Sequence, residues 1–250
     1  MLFSQPILSV ERVPELGQVC ELCHEVLVRL RGEHGDLVPP GAFIPAAERY
    51  HLMPKIDRWV VSATLRWLAA NLQRPGIASH YSINLSGQSL SDEGFLGFVV
   101  EQLEATGVPG EKICFEITET AAVATLGHAM RCVSVLKQKG CRFSLDDFGS
   151  GWSSFAYLKS LAVDFLKIDG SFVKDMARNP LDLAIVSSVV QIGHAMGLQT
   201  IAEFVETVEI LNRLHGAGVD YAQGYAIGKP RPIDEHLRRT AERGGTSPCS

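Results

Sequence analysis

The sequence predicts an α/β fold of the TIM-like type, in which eight strands form a (β/α)8 barrel and helices surround it. Short strand-like runs alternate with amphipathic helical patterns along most of the chain, as in parallel sheets with helical crossovers. About eight strands in 250 residues also fit the size of such a barrel. An open doubly wound sheet is the main competitor, but GSGWSS carries neither of the phosphate-binding patterns, G-x-G-x-x-G or G-K-S/T. The barrel is therefore favoured.

The elements follow in order along the chain. Two strand-like segments come first, FSQPILSV and ELCHEVLVRL, and two helical segments follow them, AFIPAAERY and MPKIDRWVVSATLRWLAANL. Six further strands are predicted at 80–86, 112–118, 141–147, 163–169, 198–203 and 219–224. The helices between them are predicted at 91–106, 126–140, around 153–161, at 181–197 and at 207–218. Ser91-Asp92-Glu93 is a helix-start signal and Gly140 is a typical helix end.

Composition excludes several classes of function. A net charge of -5 and a pI near 5.9 argue against a long nucleic acid as partner, because such binding needs a basic face. No apolar run approaches the ~20 residues of a membrane span, and the N-terminus lacks a signal-like segment. We therefore expect a cytoplasmic protein with one domain over residues 1–240. The last segment, AERGGTSPCS at 241–250, is predicted to be a disordered tail.

The cysteines and histidines predict no metal site of their own. Cys20 and Cys23 form a C-x-x-C pair, but no second pair follows at zinc spacing. Cys114, Cys132 and Cys141 lie in apolar segments and are expected to be reduced core residues. The chain also lacks H-E-x-x-H, which weakens a zinc protease interpretation.

Polar residues end nearly every predicted strand. They are Glu25, Arg29, Asn84, Glu116, Glu119, Asp146, Asp147, Lys167, Asp169, Glu203 and Gln223. Any one of them could be a solvated strand end or a helix cap. Because the carboxyl ends of barrel strands meet at one mouth, the whole set predicts a cluster of carboxylates, amides and a lysine.

Such a cluster predicts a site for hard cations. Carboxylate and amide oxygens without His or Cys select Mg²⁺ or Mn²⁺. The adjacent Asp146 and Asp147 could each face a different ion, and two ions ~3.5 to 4 Å apart are suited to in-line attack at phosphorus. Lys167 would hold the attacking water or stabilise charge on a phosphate oxygen, while a carboxylate such as Glu203 takes the proton.

Seven segments, in order, resemble the motifs of EAL-domain cyclic di-GMP phosphodiesterases. They are EVLVR, INLS, FEITE, SLDDFGSGWSS, FLKID, TIAEFVE and AQGYAIGKP. The resemblance runs from about Phe3 to Leu237. It implies a barrel whose first strand is antiparallel, and hydrolysis of cyclic di-GMP to linear pGpG with two Mg²⁺ or Mn²⁺ ions. Ca²⁺ is expected to bind but to inhibit, because its larger radius and looser geometry misplace the nucleophile.

The resemblance also implies roles for individual residues. The matching metal ligands are Glu25, Asn84, Glu116, Asp146, Asp147, Glu203 and Gln223. Lys167 matches the lysine beside the catalytic water, and Glu203 matches a candidate base. Glu119 matches a glutamate that holds the loop after Asp147. The positions that match dinucleotide contacts are Gln5, Arg29 and Glu206.

The sequence departs from the family pattern at Val26, where alanine is usual, and at Phe204, where glycine is usual. The segment between Gln5 and Glu25 is also long. No departure removes a metal ligand, so an active enzyme is predicted. The alternatives are a receptor that binds cyclic di-GMP without cleaving it, and an enolase-like enzyme with one metal. A homodimer with a surface near 153–160 is expected, as is a larger protein with an N-terminal sensory or GGDEF domain.

Overall fold

The strands are described in a computed structural model, which covers residues 1–10, 21–149 and 157–235. In chain order they are β1 (Leu2–Ser9), β2 (Glu21–Val28), β3 (Leu30–Arg31), β4 (Leu37–Val38), β5 (His80–Leu85), β6 (Ile113–Thr118), β7 (Arg142–Phe148), β8 (Phe165–Ile168), β9 (Gln199–Ala202), β10 (Tyr221–Gln223) and β11 (Arg231–Pro232). β3 and β4 form a separate small hairpin.

Eight of these strands close into a barrel. The neighbours run β1, β2, β5, β6, β7, β8, β9 and β10, and β10 pairs back to β1. Strand β1 is antiparallel to both β2 and β10, whereas the remaining neighbours in the barrel are parallel. The predicted TIM-like barrel with an antiparallel first strand is therefore confirmed.

Helices lie between the strands, and the longer ones among them were predicted from the sequence. They are α1 (Pro40–Arg49), α2 (Met53–Asn71), α3 (Gly87–Ser91), α4 (Glu93–Thr106), α5 (Glu119–Ala124), α6 (Leu126–Gln138), α7 (Gly170–Val173), α8 (Pro180–Ala195) and α9 (Val208–Ala217). Helix α4 shows why they begin and end there. The Asp92 side chain accepts from the Gly94 amide at its start, and Gly107 ends it at a φ of 65°.

Two predictions fall largely outside the described residues. Of the helix expected around 153–161, only a 3-10 turn at Leu158–Ser160 is described. The tail predicted at 241–250 also lies outside. Among the helices that are described, none is both long and apolar enough to cross a membrane.

The alternation of side chains along each strand separates two apolar cores. In β6, Phe115 and Ile117 point outward and join the large cluster between strands and helices. Cys114 points inward and packs with Ile7, Cys23, Phe165 and Ile201 inside the barrel. Glu116 shares the inward face with Cys114, so it lies inside the barrel, nearer the carboxyl end of the strand.

His80, at the start of β5, makes the fold sensitive to acid. It is 4% exposed, its ring stacks on Phe165, and its Nδ1 lies 3.3 Å from Nη1 of Arg142. Burial, followed by the positive charges of Arg142 and Lys112, lowers the pKa of His80 to about 3. Between that value and the ordinary 6.5, the unfolded chain binds more protons than the folded one. The contribution of His80 to stability therefore falls as the pH falls through this window.

We expect His80 to contribute a decrease of up to ~1.4 kcal/mol in the free energy of unfolding for each pH unit below about 6. Urea titrations at pH 7, 6 and 5 measure the slope. His80→Gln should remove the contribution of His80 from this slope, whereas His215→Gln, at an exposed position of α9, should leave the slope as in wild type. An equal slope in wild type and His80→Gln would contradict the prediction.

Candidate active site

A buried lysine surrounded by carboxylates lies at the carboxyl end of the barrel. Lys167 of β8 is completely buried. Its Nζ lies 2.8 Å from Oε2 of Glu116 and 2.8 Å from Oε1 of Glu203. Asp146 Oδ1 and Glu25 Oε2 follow at 3.4 and 3.8 Å. Four acids from four different places in the sequence thus share one cation.

The register of the strands places the residues of the site at a similar height along the barrel axis. Asn84 of β5 lies opposite Glu116 of β6, and its Nδ2 donates to Oε1 of Glu25 at 2.7 Å. Gln223, the last residue of β10, donates from Nε2 to the other oxygen of Glu25. Two amides therefore hold the carboxylate of Glu25, one at each of its oxygens.

Asp146 and Asp147 reach the same site because β7 is irregular there. Consecutive residues of a regular strand point to opposite faces, so both could not face the mouth. Asp147 has a φ of 54°, and the register between β7 and β8 shifts between Leu145 and Phe148. As a result, one carboxylate oxygen each of Asp146, Asp147 and Glu203 lie within 4.8 Å of one another.

Burial of so many carboxylates has a clear electrostatic cost. It raises the pKa of Glu116 to about 8, because lost hydration outweighs the nearby Lys167 ammonium. Burial raises the pKa of Glu203 to about 8 for the same reason. The pKa of Asp147 is raised to about 6, first by burial and then by the charges of Asp146 and Asp169. Without a further cation, the cluster therefore holds protons at neutral pH.

Lys167 behaves in the opposite way. Burial alone would lower the pKa of its ammonium, but the surrounding carboxylates outweigh burial and raise the pKa well above its usual value. The side chain is therefore a permanent cation at neutral pH. It can donate hydrogen bonds, but it cannot serve as a proton acceptor.

The residues fit a pair of divalent cations. Glu25, Glu116, Asp146, Asp147 and Glu203 together with Lys167 leave four negative charges when all are ionised, which two divalent ions would balance. In the described part of the chain, Oε1 of Glu116 and Oε1 of Gln223 are buried and accept no hydrogen bond. Because an unsatisfied buried acceptor is costly, a metal ion or its bound water is the natural partner.

Comparison with known proteins then decides the family. The model of the EAL domain matches residues 21–230. The chain belongs to the EAL domain family. Cyclic di-GMP phosphodiesterase PdeB of Shewanella oneidensis is 44% identical over 220 residues, which is 88% of this chain and 26% of that protein. Cyclic di-GMP phosphodiesterase PdeF of Escherichia coli is 36% identical over 225 residues, or 90% of this chain and 30% of that protein. The chain therefore spans less than a third of these two relatives.

Solved structures agree with the EAL assignment. The PaMucR phosphodiesterase in complex with c-di-GMP has a TM-score of 0.86 at 30% identity, covering 94% of this chain and 93% of that one. The FimX EAL domain from Pseudomonas aeruginosa bound to c-di-GMP has a TM-score of 0.80 at 34% identity, covering 92% and 89%. Both similarities extend over nearly the whole barrel.

In this EAL domain, Glu119 ties the end of β7 to the chain beyond it. Its Oε2 accepts from the Gly149 amide at 3.1 Å, and its Oε1 accepts from the Tyr157 hydroxyl at 2.8 Å. Residues 150–156 between these two contacts lie outside the described ranges. That Glu119 holds the loop after Asp147 stays a prediction of the resemblance. Tyr157 was not predicted, because its partner is 38 residues away.

The three predicted dinucleotide contacts differ in how close they are to the cluster. Gln5 of β1 accepts from Nε2 of Gln223 at 3.3 Å and donates to the Gly228 carbonyl at 2.9 Å, so it joins the site directly. Arg29 lies near Glu25 at the end of β2, with its guanidinium over the Phe3 ring. Glu206 is exposed, three residues after Glu203. No contact of Glu206 with the cluster is seen in the part of the chain that the structure describes.

Asp57 of α2 is a supporting residue that the sequence analysis missed. It is buried, and its Oδ2 accepts from the amide and hydroxyl of Ser86 and from the hydroxyl of Ser89. These bonds fix the turn that follows Asn84. The sequence does contain a feature that could have identified Asp57. It is a carboxylate that shares the apolar face of α2 with Val60 and Val61.

Proposed function

We propose that this EAL domain is a metal-dependent phosphodiesterase, which hydrolyses cyclic di-GMP to linear pGpG. The observation that carries the proposal is the ring of carboxylates around Lys167, with buried acceptor oxygens left unsatisfied. Relatives that are named cyclic di-GMP phosphodiesterases and a structural neighbour in complex with c-di-GMP support the choice of substrate.

The cations would be two Mg²⁺ or Mn²⁺ ions. The residues that would hold them are Glu25, Asn84, Glu116, Asp146, Asp147, Glu203 and Gln223. When bound, the ions supply a water of lowered pKa and neutralise charge on the phosphate. An enolase-like site with one metal is less well supported, because Asp147 lies beside Asp146 and Glu25 is held by two amides.

The protein's own groups would handle the proton and the developing charge. Lys167, as a permanent cation, donates a hydrogen bond to the attacking water or to a phosphate oxygen. A carboxylate of the cluster, for which Glu203 is the candidate, accepts the proton of that water. A new bond from water oxygen to phosphorus replaces one ester bond, and the released ester oxygen leaves with a proton. The product is the linear dinucleotide.

The remaining assignments are proposals of the same kind. Gln5, Arg29 and Glu206 would contact the dinucleotide, and Glu119 would hold the loop after Asp147. A cytoplasmic location agrees with Cys23, Cys114, Cys132 and Cys141, which are buried free thiols. The homodimer and the sensory or GGDEF domain stay predictions.

Incubation with cyclic di-GMP and Mn²⁺, followed by chromatographic separation of pGpG, tests the proposal. We expect complete conversion to the linear product, and none after treatment with EDTA. Binding of cyclic di-GMP without any pGpG would identify the receptor alternative instead. Failure both to bind and to cleave would reject the proposed function.

Ca²⁺ provides a separate prediction. We expect it to support binding of cyclic di-GMP but to give a kcat at least about 100-fold below that with Mg²⁺, because it places the nucleophile less strictly. Initial rates at saturating concentrations of each ion measure this ratio, and calorimetry in Ca²⁺ measures the binding. Comparable turnover with Ca²⁺ alone would contradict the geometric argument.

A further inference from the structure

A second polar cluster lies at the amino end of the barrel, opposite the carboxylates of the candidate active site. Five parallel strands begin with residues whose side chains contact one another there. They are His80 of β5, Arg142 of β7, Phe165 of β8, Gln199 of β9 and Tyr221 of β10. Four residues along β7 separate Arg142 from Asp146, which is roughly 13 Å of extended chain. This cluster is therefore separate from the candidate active site.

Contacts within the cluster hold Arg142 and Gln199 in place. The buried His80 ring stacks on Phe165, and its Nδ1 lies 3.3 Å from Nη1 of Arg142. A guanidinium has no acceptor atom, so Arg142 donates this hydrogen bond and Nδ1 of His80 accepts it. Gln199 donates from Nε2 to the Tyr221 hydroxyl at 3.0 Å. Both polar side chains are thus positioned by neighbours that carry no charge of their own at neutral pH.

The positive charge at this end of the barrel is not matched by a nearby acid. Asp164 follows the turn before β8, but its Oδ1 accepts from Nζ of Lys137 at 2.7 Å and its Oδ2 from the Phe143 amide at 2.9 Å. Within the described residues, no carboxylate oxygen lies within 4 Å of the Arg142 guanidinium or of the Lys112 ammonium. Arg142 is therefore a partly buried cation that lacks a protein counter-ion there.

A cavity of about 310 Å³ lies beside this guanidinium. It is lined by Arg142, Val163, Asp164, Phe165, Gly197 and Gln199. Arg142 and Gln199 supply hydrogen-bonding groups, whereas Val163 and Phe165 supply apolar surface. The volume falls at the lower end of the range for ligand pockets, so a ligand of this cavity would be small.

We propose that this cavity is a second binding site, which takes a small organic molecule carrying one oxyanion group, a phosphate or a carboxylate. Arg142 would bind the oxyanion, because a guanidinium forms paired hydrogen bonds with such groups. Gln199 would add a further hydrogen bond, and the apolar part of the ligand would lie against Val163 and Phe165. Asp164 on the same wall would repel a second anionic group. A ligand with one such group is therefore favoured.

The test is an NMR titration of the ¹⁵N-labelled protein in EDTA, which gives the affinity and the place of binding together. Phenyl phosphate, benzoate and benzyl alcohol share a ring and differ in the polar group. We expect the two anions to bind with a Kd of about 1 mM or lower, and the neutral alcohol not to bind. The shifts should centre on the amides of Gly197 and Gln199. Terephthalate, which has a second carboxylate, should bind more weakly than benzoate.

Substitutions identify the residue that carries the binding. Arg142→Gln should weaken binding of phenyl phosphate at least about tenfold, because it removes a charged hydrogen-bond donor. Arg213→Gln, at an exposed position of α9, is the matched control and should bind like wild type. Should Arg142→Gln fail to fold, Gln199→Leu leaves the bond from Arg142 to His80 in place and should weaken binding about threefold or more. An unchanged affinity in that variant would then overturn the inference.

Three further results would also overturn it. They are equal binding of benzyl alcohol and benzoate, shifts centred on Glu203 and Gln223 at the mouth of the barrel, and wild-type affinity in a folded Arg142→Gln variant. Relative affinities for phenyl phosphate and benzoate show which oxyanion the site prefers. The titration uses neither metal nor cyclic di-GMP, so its outcome is independent of the proposed function.

Discussion

Asp147→Asn is expected to lower kcat for cyclic di-GMP by at least about 10³-fold, equivalent to ~4 kcal/mol of transition-state stabilisation. Its carboxylate lies with those of Asp146 and Glu203 in the candidate metal cluster, and asparagine is a neutral, weaker ligand. Initial rates of pGpG formation in saturating Mn²⁺ measure the effect. Glu101→Gln, which removes one exposed negative charge on α4, is the matched control and should keep wild-type activity.

The same substitution should not destabilise the metal-free protein. Burial and the charge of Asp146 raise the pKa of Asp147 to about 6, so its ionised form is disfavoured there. Removing that charge relieves repulsion, and unfolding in urea with EDTA should show equal or greater stability than wild type. Activity within tenfold of wild type would contradict a role for Asp147 in metal binding.

Lys167→Met is expected to abolish activity and to destabilise the metal-free protein by ~3 to 5 kcal/mol. The buried ammonium is the cation shared by Glu25, Glu116, Asp146 and Glu203, so its loss leaves those charges uncompensated. Urea unfolding in EDTA at pH 8 measures the loss, and Mn²⁺ should restore part of it. Lys137→Met breaks a partly exposed pair with Asp164 and should cost less than about 1 kcal/mol.

The pH dependence of this variant follows from the carboxylates. Even with Lys167 present, the pKa values of Glu116 and Glu203 are raised to about 8 from an ordinary 4.5. At these two groups the folded state therefore binds more protons than the unfolded state between these pH values, and their contribution to stability falls as the pH rises. Loss of Lys167 should steepen that fall, so the variant gains stability between pH 8 and pH 6. Wild-type stability in EDTA at pH 8 would contradict the shared-cation interpretation.

Much of the barrel could be predicted because each element carries its own local signal. The boundaries of the long helices and of the eight barrel strands agree with the prediction within about two residues. The short helices α3, α5 and α7 were missed, since a single turn is too short for a periodic pattern. Their caps were nevertheless in the sequence, as Ser86, Thr118 and Asp169 each accept from a backbone amide.

The sequence predicts which residues belong to the candidate site, but it does not predict how they are arranged. Strand ends and the family resemblance name the acids, because the carboxyl ends of barrel strands meet at one mouth. They do not reveal that Asp147 adopts a left-handed conformation, which turns two adjacent carboxylates toward one point. Nor do they reveal the bonds from Ser86 and Ser89 to Asp57, because these depend on the packing of α2 against the turn after β5.

The central claim is that oxygen ligands from separate strands converge to hold two hard cations. Anomalous diffraction at the manganese edge, from crystals grown with Mn²⁺, tests it most directly. We expect two peaks about 4 Å apart beside Asp146, Asp147 and Glu203. A single peak, or manganese bound only away from these carboxylates, would contradict it.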